Sequence, residues 1–252
     1  AVDYAPHPAV TRLLEALAPQ APQLWDEAPG NLCYDTELGD RAATEAVFAR
    51  AARITEIDLV NSRLIANSIE PRGAIGMHEE DGRFVLYVSS QGVHRLRNPL
   101  AEDILHIPRE RLRVITPDVG GGFGMKIMMY PEYPLVLWAA KVVGRPVKWV
   151  AERGESFLSD VQGRDHSTHA ALALDEEGRF LGLKVSAVAN LGAYLSTFGP
   201  GIPAGAGVPL YTGLYDLATA YVEIKAVFTN TVPVDAYRGA GRPESNYLVE
   251  RL

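Results

Sequence analysis

The chain has 252 residues, of which 47% are hydrophobic and 22% charged, and its formal net charge is −7. This composition is typical of a globular protein with its own core, and the acidic balance gives no support for nucleic-acid binding. Cys33 is the only cysteine, which excludes an internal disulfide framework and a multi-cysteine metal or iron–sulfur site. Without a secretory signal or a membrane-length apolar run, we expect a cytoplasmic protein that binds no membrane.

The first 160 residues mix strands and helices. The pattern predicts a proline-rich extended segment over residues 1–40, with one short helix over 8–17, and a first α+β subdomain over 41–160. Asp40 is a good N-cap for a helix that begins at Arg41. Further along, the pattern predicts strands over 54–65, 72–78, 83–89, 114–116 and 146–151, and helices over 93–105 and 132–143.

Residues 161–252 form a second predicted subdomain, which ends inside a helix that begins at Pro243. Its predicted strands cover residues 164–174, 180–190 and 220–228. Residues 195–214 are rich in glycine and proline, and so long a loop is usually functional or covered by a partner. Because strands and helices do not alternate regularly, we predict an α+β fold of mixed sheets. The chain starts without Met and stops within a helix, so we expect a fragment or one part of a split protein.

A glycine-rich loop, PDVGGGFGMK over residues 117–126, follows a predicted strand and precedes a predicted helix. Glycine reaches positive φ without steric cost, and its bare N–H groups suit an anion or an oxo group. The loop fails the Walker A pattern because Lys126 is followed by Ile127. It fails the dinucleotide fingerprint because Met125 occupies the third glycine position. A phosphate-binding domain and a plain tight turn stay open as alternatives.

Two other stretches carry polar side chains where a predicted strand ends. Gln91 lies in SSQG, and Arg238 lies in AYRGAGRPE. We expect both stretches and the glycine-rich loop to meet at one crevice, where an amide, backbone donors and an arginine fork would recognise an oxygen-rich group. The plainer interpretations are a surface amide and a salt-bridge partner. His166 and His169 face opposite sides of a strand, so we predict no metal site there.

The ordered motifs from about Leu24 to the end resemble the molybdenum hydroxylases, the family of xanthine dehydrogenase, aldehyde oxidase and the aerobic carbon monoxide dehydrogenase large subunit. The chain is most similar to bacterial members of the carbon-monoxide-dehydrogenase-like group. The motifs are DEAPGN (26–31), IEPRGA (69–74), SSQGVH (89–94), PDVGGGFGMK (117–126), GRPVKWVAER (144–153), GRDHSTH (163–169), NLGAY (190–194) and FTNTVPVDAYRGAGRPE (228–244). The resemblance implies a molybdenum-cofactor-binding fold with two subdomains.

The resemblance also implies roles for individual residues. It implies catalytic roles for Gln91, which would hydrogen-bond an oxo ligand of molybdenum, and for Arg238, which would help to orient substrate. The cofactor-binding residues that it implies are Gln91, Gly121, Gly122, Phe123, Gly124, Ala236, Tyr237, Arg238 and Gly239. No side chain is named as a metal ligand, because in this family the pterin dithiolene and inorganic ligands hold molybdenum. The implied cofactor is molybdenum with molybdopterin in its cytosine dinucleotide form.

Three departures from the family narrow the expected reaction. Xanthine-type members carry a glutamate at the place of Ile127, which argues against a purine substrate. Carbon monoxide dehydrogenases carry a copper-binding cysteine at the place of Gly239, and glycine has no side chain to bind copper. The family's catalytic glutamate lies in a glycine-rich motif near the C-terminus of a longer subunit, and neither Glu132 nor Glu244 matches that motif.

The expected function is therefore part of the molybdopterin-binding subunit of a hydroxylase. It would oxidise an aldehyde or an N-heterocycle with oxygen from water. The implied partners are a C-terminal molybdopterin-binding half that supplies the glutamate, an iron–sulfur subunit and an FAD subunit. The alternative is a catalytically inactive fragment or interaction module of the same fold.

Overall fold

A computed structural model describes residues 2–252 and has the α+β fold predicted from the sequence. Its strands are β1 (Leu32–Gly39), β2 (Arg53–Asn61), β3 (Leu64–Ile65), β4 (Gly73–His78), β5 (Phe84–Val88), β6 (Leu112–Ile115), β7 (Val147–Val150), β8 (Gln162–Gly163), β9 (His166–Leu174), β10 (Phe180–Gly192) and β11 (Thr219–Phe228). Its α-helices are α1 (Arg41–Phe48), α2 (Val93–Pro99), α3 (Glu132–Val143), α4 (Arg153–Ser159) and α5 (Arg242–Val249). Within the described residues, no helix has the length and apolarity needed to cross a membrane.

The chain divides into two units. The larger unit contains the residues up to Leu64 together with Val161–Leu252, and the smaller unit is Ile65–Asp160. Residues 41–64 belong to the larger unit, where β2 pairs antiparallel with β9. The predicted extended segment, residues 1–40, contributes β1 to the same sheet, where it pairs antiparallel with β11.

The larger unit is built on a five-stranded sheet in the order β1-β11-β10-β9-β2. Strands β10 and β11 are parallel, and parallel neighbours need a long crossover connection. The predicted glycine- and proline-rich loop is this crossover, and it contains short helical turns at Ile202–Gly207 and Val208–Leu210. It places Tyr211 against Leu183 and Ile224 of the sheet, all nearly inaccessible to solvent. The crossover therefore forms part of the core of its own unit.

The smaller unit has a four-stranded sheet in the order β6-β5-β4-β7. The predicted hairpin is confirmed, since β4 and β5 pair antiparallel and Ile75 lies opposite Tyr87. Helix α3 packs closely on β4 at Gly76, where a Cβ atom would lie 2.4 Å from the carbonyl oxygen of Val136. Gly144 ends α3 at φ +63, the left-handed conformation expected for a glycine after a helix.

The structure differs from the prediction in three helical regions. The predicted helix over residues 93–105 is α-helical only to Pro99 and continues as a π-helical turn over Leu100–Ile104. The predicted helix over residues 8–17 is only a short 3-10 turn at Leu14–Leu17, because this proline-rich segment is too short to support regular helix hydrogen bonding. Helix α4 was not predicted. A capping box of Glu152 and Glu155 fixes its first turn, although its apolar residues Phe157 and Leu158 stay exposed.

Candidate functional site

The glycine-rich loop leaves β6 and reaches α3 through a series of left-handed residues. Gly121, Phe123 and Gly124 have φ of +95, +54 and +102. A non-glycine residue at positive φ costs about 1–3 kcal/mol, so Phe123 keeps this conformation only where neighbouring contacts hold it. The loop is thus fixed in shape by contacts with the rest of the smaller unit.

Gln91 supplies two of these contacts. Its side-chain Oε1 accepts a hydrogen bond from the backbone N–H of Gly124 at 2.9 Å, and its own backbone N–H donates to the carbonyl of Lys126 at 3.1 Å. A Cβ atom on Gly122 would lie 2.4 Å from Oε1 of Gln91. The structure therefore brings Gln91 together with the glycine-rich loop, and it needs a glycine at position 122.

The same contacts leave a group of donors available. Because Oε1 of Gln91 is the atom that accepts from Gly124, the carboxamide Nε2 donor is left over. Within residues 2–252, Nε2 and the backbone N–H groups of Gly121, Gly122 and Phe123 have no hydrogen-bond partner. Neutral donors without nearby acceptors suit an oxygen-rich or anionic group.

Glu70 anchors the start of the loop, and sequence analysis did not single it out. Its Oε2 accepts from Ser89 Oγ at 2.7 Å, from the N–H of Gly120 at 2.8 Å and from Lys126 Nζ at 2.7 Å. Lys126 is fully buried. Desolvation raises the pKa of Glu70, but these hydrogen bonds outweigh it and lower the pKa overall. The lysine at the end of the loop was the available signal, since a charge buried there would require a carboxylate.

Glu132 at the start of α3 is held in a structural ion pair. Arg72 is completely buried, and it donates to Glu132 Oε2 at 2.8 Å and to Asp160 Oδ1 at 2.5 Å. Its guanidinium also lies 3.6 Å from the ring centroid of Tyr130. Glu132 is thus part of an ion pair within the smaller unit. Sequence analysis assigned it no catalytic role, because it does not match the family's catalytic motif.

The segment Ala236–Gly239 lies in the larger unit between β11 and α5. Asp235 precedes it and is buried, and its two carboxylate oxygens accept from the N–H groups of Ala236 at 2.5 Å and Phe198 at 2.8 Å. Arg238 is exposed, and no carboxylate in residues 2–252 pairs with it. The structure therefore does not support a salt bridge for Arg238, and the guanidinium of Arg238 is exposed to solvent.

Gly239 follows Arg238 with a left-handed φ of +100. A Cβ atom here would lie 2.6 Å from Cδ and Cγ of Pro243. A cysteine or any other L residue at position 239 would therefore be strained at this φ and would clash with the ring of Pro243.

The two histidines lie on opposite faces of β9, as predicted. His166 is buried, and burial lowers its pKa. His169 is exposed, with Nδ1 2.9 Å from an oxygen of Asp58. Their side chains do not converge on one ligand.

Comparison with known proteins gives a consistent result. The model of the molybdopterin cofactor-binding domain matches residues 24–252. The carbon monoxide dehydrogenase large chain of Hydrogenophaga pseudoflava is 34% identical over 100% of this chain and 33% of that protein. The 6-hydroxypseudooxynicotine dehydrogenase complex subunit gamma of Paenarthrobacter nicotinovorans is 31% identical over 100% of this chain and 31% of that protein.

Solved structures agree with these relatives. Reconstituted carbon monoxide dehydrogenase from Oligotropha carboxidovorans superposes with a TM-score of 0.91 at 29% identity, over 100% of this chain and 33% of that chain. Quinoline 2-oxidoreductase from Pseudomonas putida 86 superposes with a TM-score of 0.89 at 30% identity, over 99% and 33%. The chain spans about a third of the length of the relatives that it matches.

Proposed function

The chain belongs to the molybdopterin cofactor-binding domain family, and we propose that it supplies one part of the cofactor site of a molybdenum hydroxylase. The catalytic glutamate would come from a C-terminal half or a second chain. The whole enzyme would oxidise an aldehyde or an N-heterocycle with oxygen from water, and Gln91 and Arg238 would be the catalytic residues of this part.

The observation that carries the proposal is the set of unpaired donors around Gln91. The carboxamide Nε2 and the N–H groups of Gly121, Gly122 and Phe123 would hydrogen-bond the oxygen-bearing cofactor, with Gly124 held behind them by Oε1 of Gln91. When bound, the cofactor supplies two-electron oxidation and oxygen transfer. The donors need no rearrangement to accept it, since the loop is already fixed by Gln91 and Glu70.

For the larger unit, we propose separately that the segment Ala236–Gly239 contacts the cofactor or the substrate, as the family resemblance implies. Arg238 is exposed without an ion-pair partner in residues 2–252, so its planar fork can orient an oxygen-rich substrate or ligand. Ala236 and Tyr237 precede Arg238 in this segment, and we propose that they contact the same ligand.

The substrate class rests on one residue and on the names of relatives. The backbone at Gly239 leaves no room for the cysteine that would bind copper, which argues against carbon monoxide as the substrate. Among the relatives are a nicotine 6-hydroxylase large subunit, 32% identical over 82% of this chain, and quinoline 2-oxidoreductase. These names favour an N-heterocycle, with an aldehyde as the other candidate.

The proposed cofactor form and partners follow from the family. We propose the cytosine dinucleotide form of molybdopterin, an iron–sulfur subunit and an FAD subunit, in the cytoplasm. Relatives named as a large chain, a large subunit or a subunit gamma of a complex support an assembly of several chains.

The test is reconstitution with a C-terminal molybdopterin-binding half. The purified complex is expected to contain molybdenum near one atom per complex by mass spectrometry, and pterin by fluorescence after oxidation. A complex that forms without either would overturn the cofactor role and favour an interaction module. A lone chain that is active and replete with molybdenum would overturn the need for a second half.

Gln91→Glu is the sharpest variant for this test. A carboxylate keeps an acceptor for Gly124 but loses the two N–H donors of the carboxamide, so molybdenum content is expected to fall about tenfold or more. Gln20→Glu is the matched control, because Gln20 is exposed and its replacement makes the same change in charge. Equal molybdenum content in the two variants would contradict a donor role for Gln91.

A further inference from the structure

Arg164 is a largely buried arginine that contacts the segment carrying Arg238. Its Nη1 donates to the carbonyl oxygen of Tyr237 at 2.9 Å, and its Nη2 donates to the carbonyl oxygen of Arg238 at 2.9 Å. Glu244 in α5 accepts from Nη1 at 3.0 and 3.1 Å. The side chains of Arg164 and Glu244 are only 10% and 4% exposed, so this ion pair is well shielded from solvent.

These two carbonyl contacts fix the backbone on both sides of one Cα atom. The carbonyl of Tyr237 belongs to the peptide plane before Arg238, and the carbonyl of Arg238 belongs to the plane after it. Because each peptide unit is planar, holding both carbonyls fixes φ and ψ of Arg238 and hence the direction in which its side chain leaves the backbone. One guanidinium therefore sets the direction of the Cα–Cβ bond of Arg238.

The residues after Arg238 hold the segment only in part, through the N–H of Ala240, which donates to the carbonyl oxygen of Tyr237 at 2.8 Å. Gly239, Ala240 and Gly241 have φ of +100, +41 and +87. Two glycines give this stretch wide conformational freedom, and Ala240 is in an unfavourable left-handed conformation. Arg164 adds a contact from outside the segment, and its Nη2 bonds the carbonyl oxygen of Arg238 directly.

Arg164 is itself in a strained conformation that its neighbours stabilise. Arg164 and Asp165 are consecutive non-glycine residues with φ of +67 and +66, which cost about 1–3 kcal/mol each. Asp165 Oδ2 accepts from Arg63 Nε at 2.8 Å and from Asn190 Nδ2 at 2.9 Å, which holds the turn in place. These hydrogen bonds offset the unfavourable backbone conformation of Arg164 and Asp165.

Gly163 lets this turn approach the arginine segment. A Cβ atom at Gly163 would lie 2.3 Å from Cβ of Tyr237. With no side chain there, the guanidinium of Arg164 lies 4.9 Å from the ring centroid of Tyr237 as well as bonding its carbonyl. In the GRD motif at 163–165, Gly163 allows the close approach, Arg164 bonds the two carbonyls, and Asp165 holds the turn in place.

We propose that Arg164 is a positioning residue for Arg238, with Glu244 as its counter-charge. The fork fixes the two peptide planes around Arg238 and so pre-orients its guanidinium for an oxygen-rich ligand. The consequence for catalysis rests on the proposed function, whereas the control of the segment's backbone does not.

The test is Arg164→Lys in the full chain. Lysine keeps the positive charge beside Glu244 but cannot bond two carbonyls in a fixed fork. Under native conditions, trypsin cleavage after Arg238 and amide exchange over residues 236–242 are both expected to rise about tenfold. If Arg164→Lys does not fold, Glu244→Gln replaces it, with a rise of about threefold because the fork is kept but its counter-charge is lost.

Arg72→Lys is the matched control, because Arg72 is also shielded from solvent and has carboxylate partners, but lies in the smaller unit. It is expected to lower the melting temperature without faster cleavage after Arg238. Equal cleavage after Arg238 in the Arg164 and Arg72 variants, or no change in either, would overturn the positioning role.

A second readout separates this inference from the proposed function. In the reconstituted, molybdenum-loaded complex, Arg164→Lys is expected to raise KM about tenfold with a smaller fall in kcat, because a mobile Arg238 holds substrate less well. A fall in kcat with unchanged KM would contradict positioning of a substrate-binding arginine. A complex without molybdenum would refute the proposed function while the cleavage and exchange results still decide the role of Arg164.

Discussion

At the scale of single residues, the candidate site depends on where side chains are missing as well as where they are present. Gly122 lies under the carboxamide of Gln91, Gly163 faces Tyr237, and Gly239 faces Pro243. In each case a Cβ atom would lie well inside normal contact distance. These glycines therefore let the carboxamide of Gln91, the Cβ atom of Tyr237 and the ring of Pro243 approach the backbone closely, which a larger residue would prevent.

Gly122→Ala tests this argument at one position. The added methyl group must displace the carboxamide of Gln91, so the free energy of unfolding is expected to fall by about 1–3 kcal/mol in urea denaturation. Gly154→Ala in α4 is the control, since a Cβ atom added there would have no other atom within 4 Å. This control is expected to be neutral or to stabilise the chain by up to about 1 kcal/mol. A neutral Gly122→Ala would show that Gln91 does not pack on the loop.

At the scale of elements, the glycine-rich connection between β6 and α3 is held at both ends. Gln91 bonds Gly124 and Lys126 at the far end, and Glu70 bonds Gly120 and the side chain of Lys126 at the near end. The loop therefore presents its free N–H groups from a fixed backbone, which lowers the entropy cost of binding.

The Glu70 anchor predicts a pH dependence. The folded-state pKa of Glu70 is lowered from 4.5, so its contribution to stability is present above that value and is lost as pH falls through the lower folded pKa. Glu70→Gln is therefore expected to destabilise the chain near neutral pH, and the difference from wild type should shrink under acid conditions. Urea denaturation across this pH range measures both effects.

The control for this measurement is Glu177→Gln, which removes an exposed carboxylate from a turn. Its effect should be small and nearly independent of pH. A difference between wild type and Glu70→Gln that grows as pH falls would have the wrong sign and would refute the anchor.

At the scale of the whole molecule, the two units differ in how the chain builds them. The smaller unit, Ile65–Asp160, is one continuous segment with its own sheet, helix α3 and the buried Arg72 cluster. The larger unit needs segments from both ends of the chain, because β2 pairs with β9 and β1 pairs with β11.

A fragment of residues 65–160 is accordingly expected to fold alone. It should show a cooperative thermal transition and native-like secondary structure by circular dichroism, because its main stabilising contacts are internal. Residues 161–252 alone should not fold cooperatively, since both β1 and β2 are missing from the sheet. A non-cooperative 65–160 fragment would contradict the assignment of an independent core.

The sequence by itself determined the family, the α+β class and most regular elements, because these follow from local patterns and ordered motifs. Helix α3 with its glycine end and the hairpin of β4 and β5 were predicted from periodicity and turn residues alone. The similarity to molybdenum hydroxylases is confirmed by the match to residues 24–252.

Only the tertiary structure decided which distant residues meet. Three examples join residues far apart in the chain. Lys126 forms an ion pair with Glu70, Arg164 hydrogen-bonds the carbonyls of Tyr237 and Arg238, and β1 pairs with β11. Local propensity carries no information about such pairs. Their geometry depends on the sheet register and on the desolvation of buried charges, which arise only when the whole unit packs.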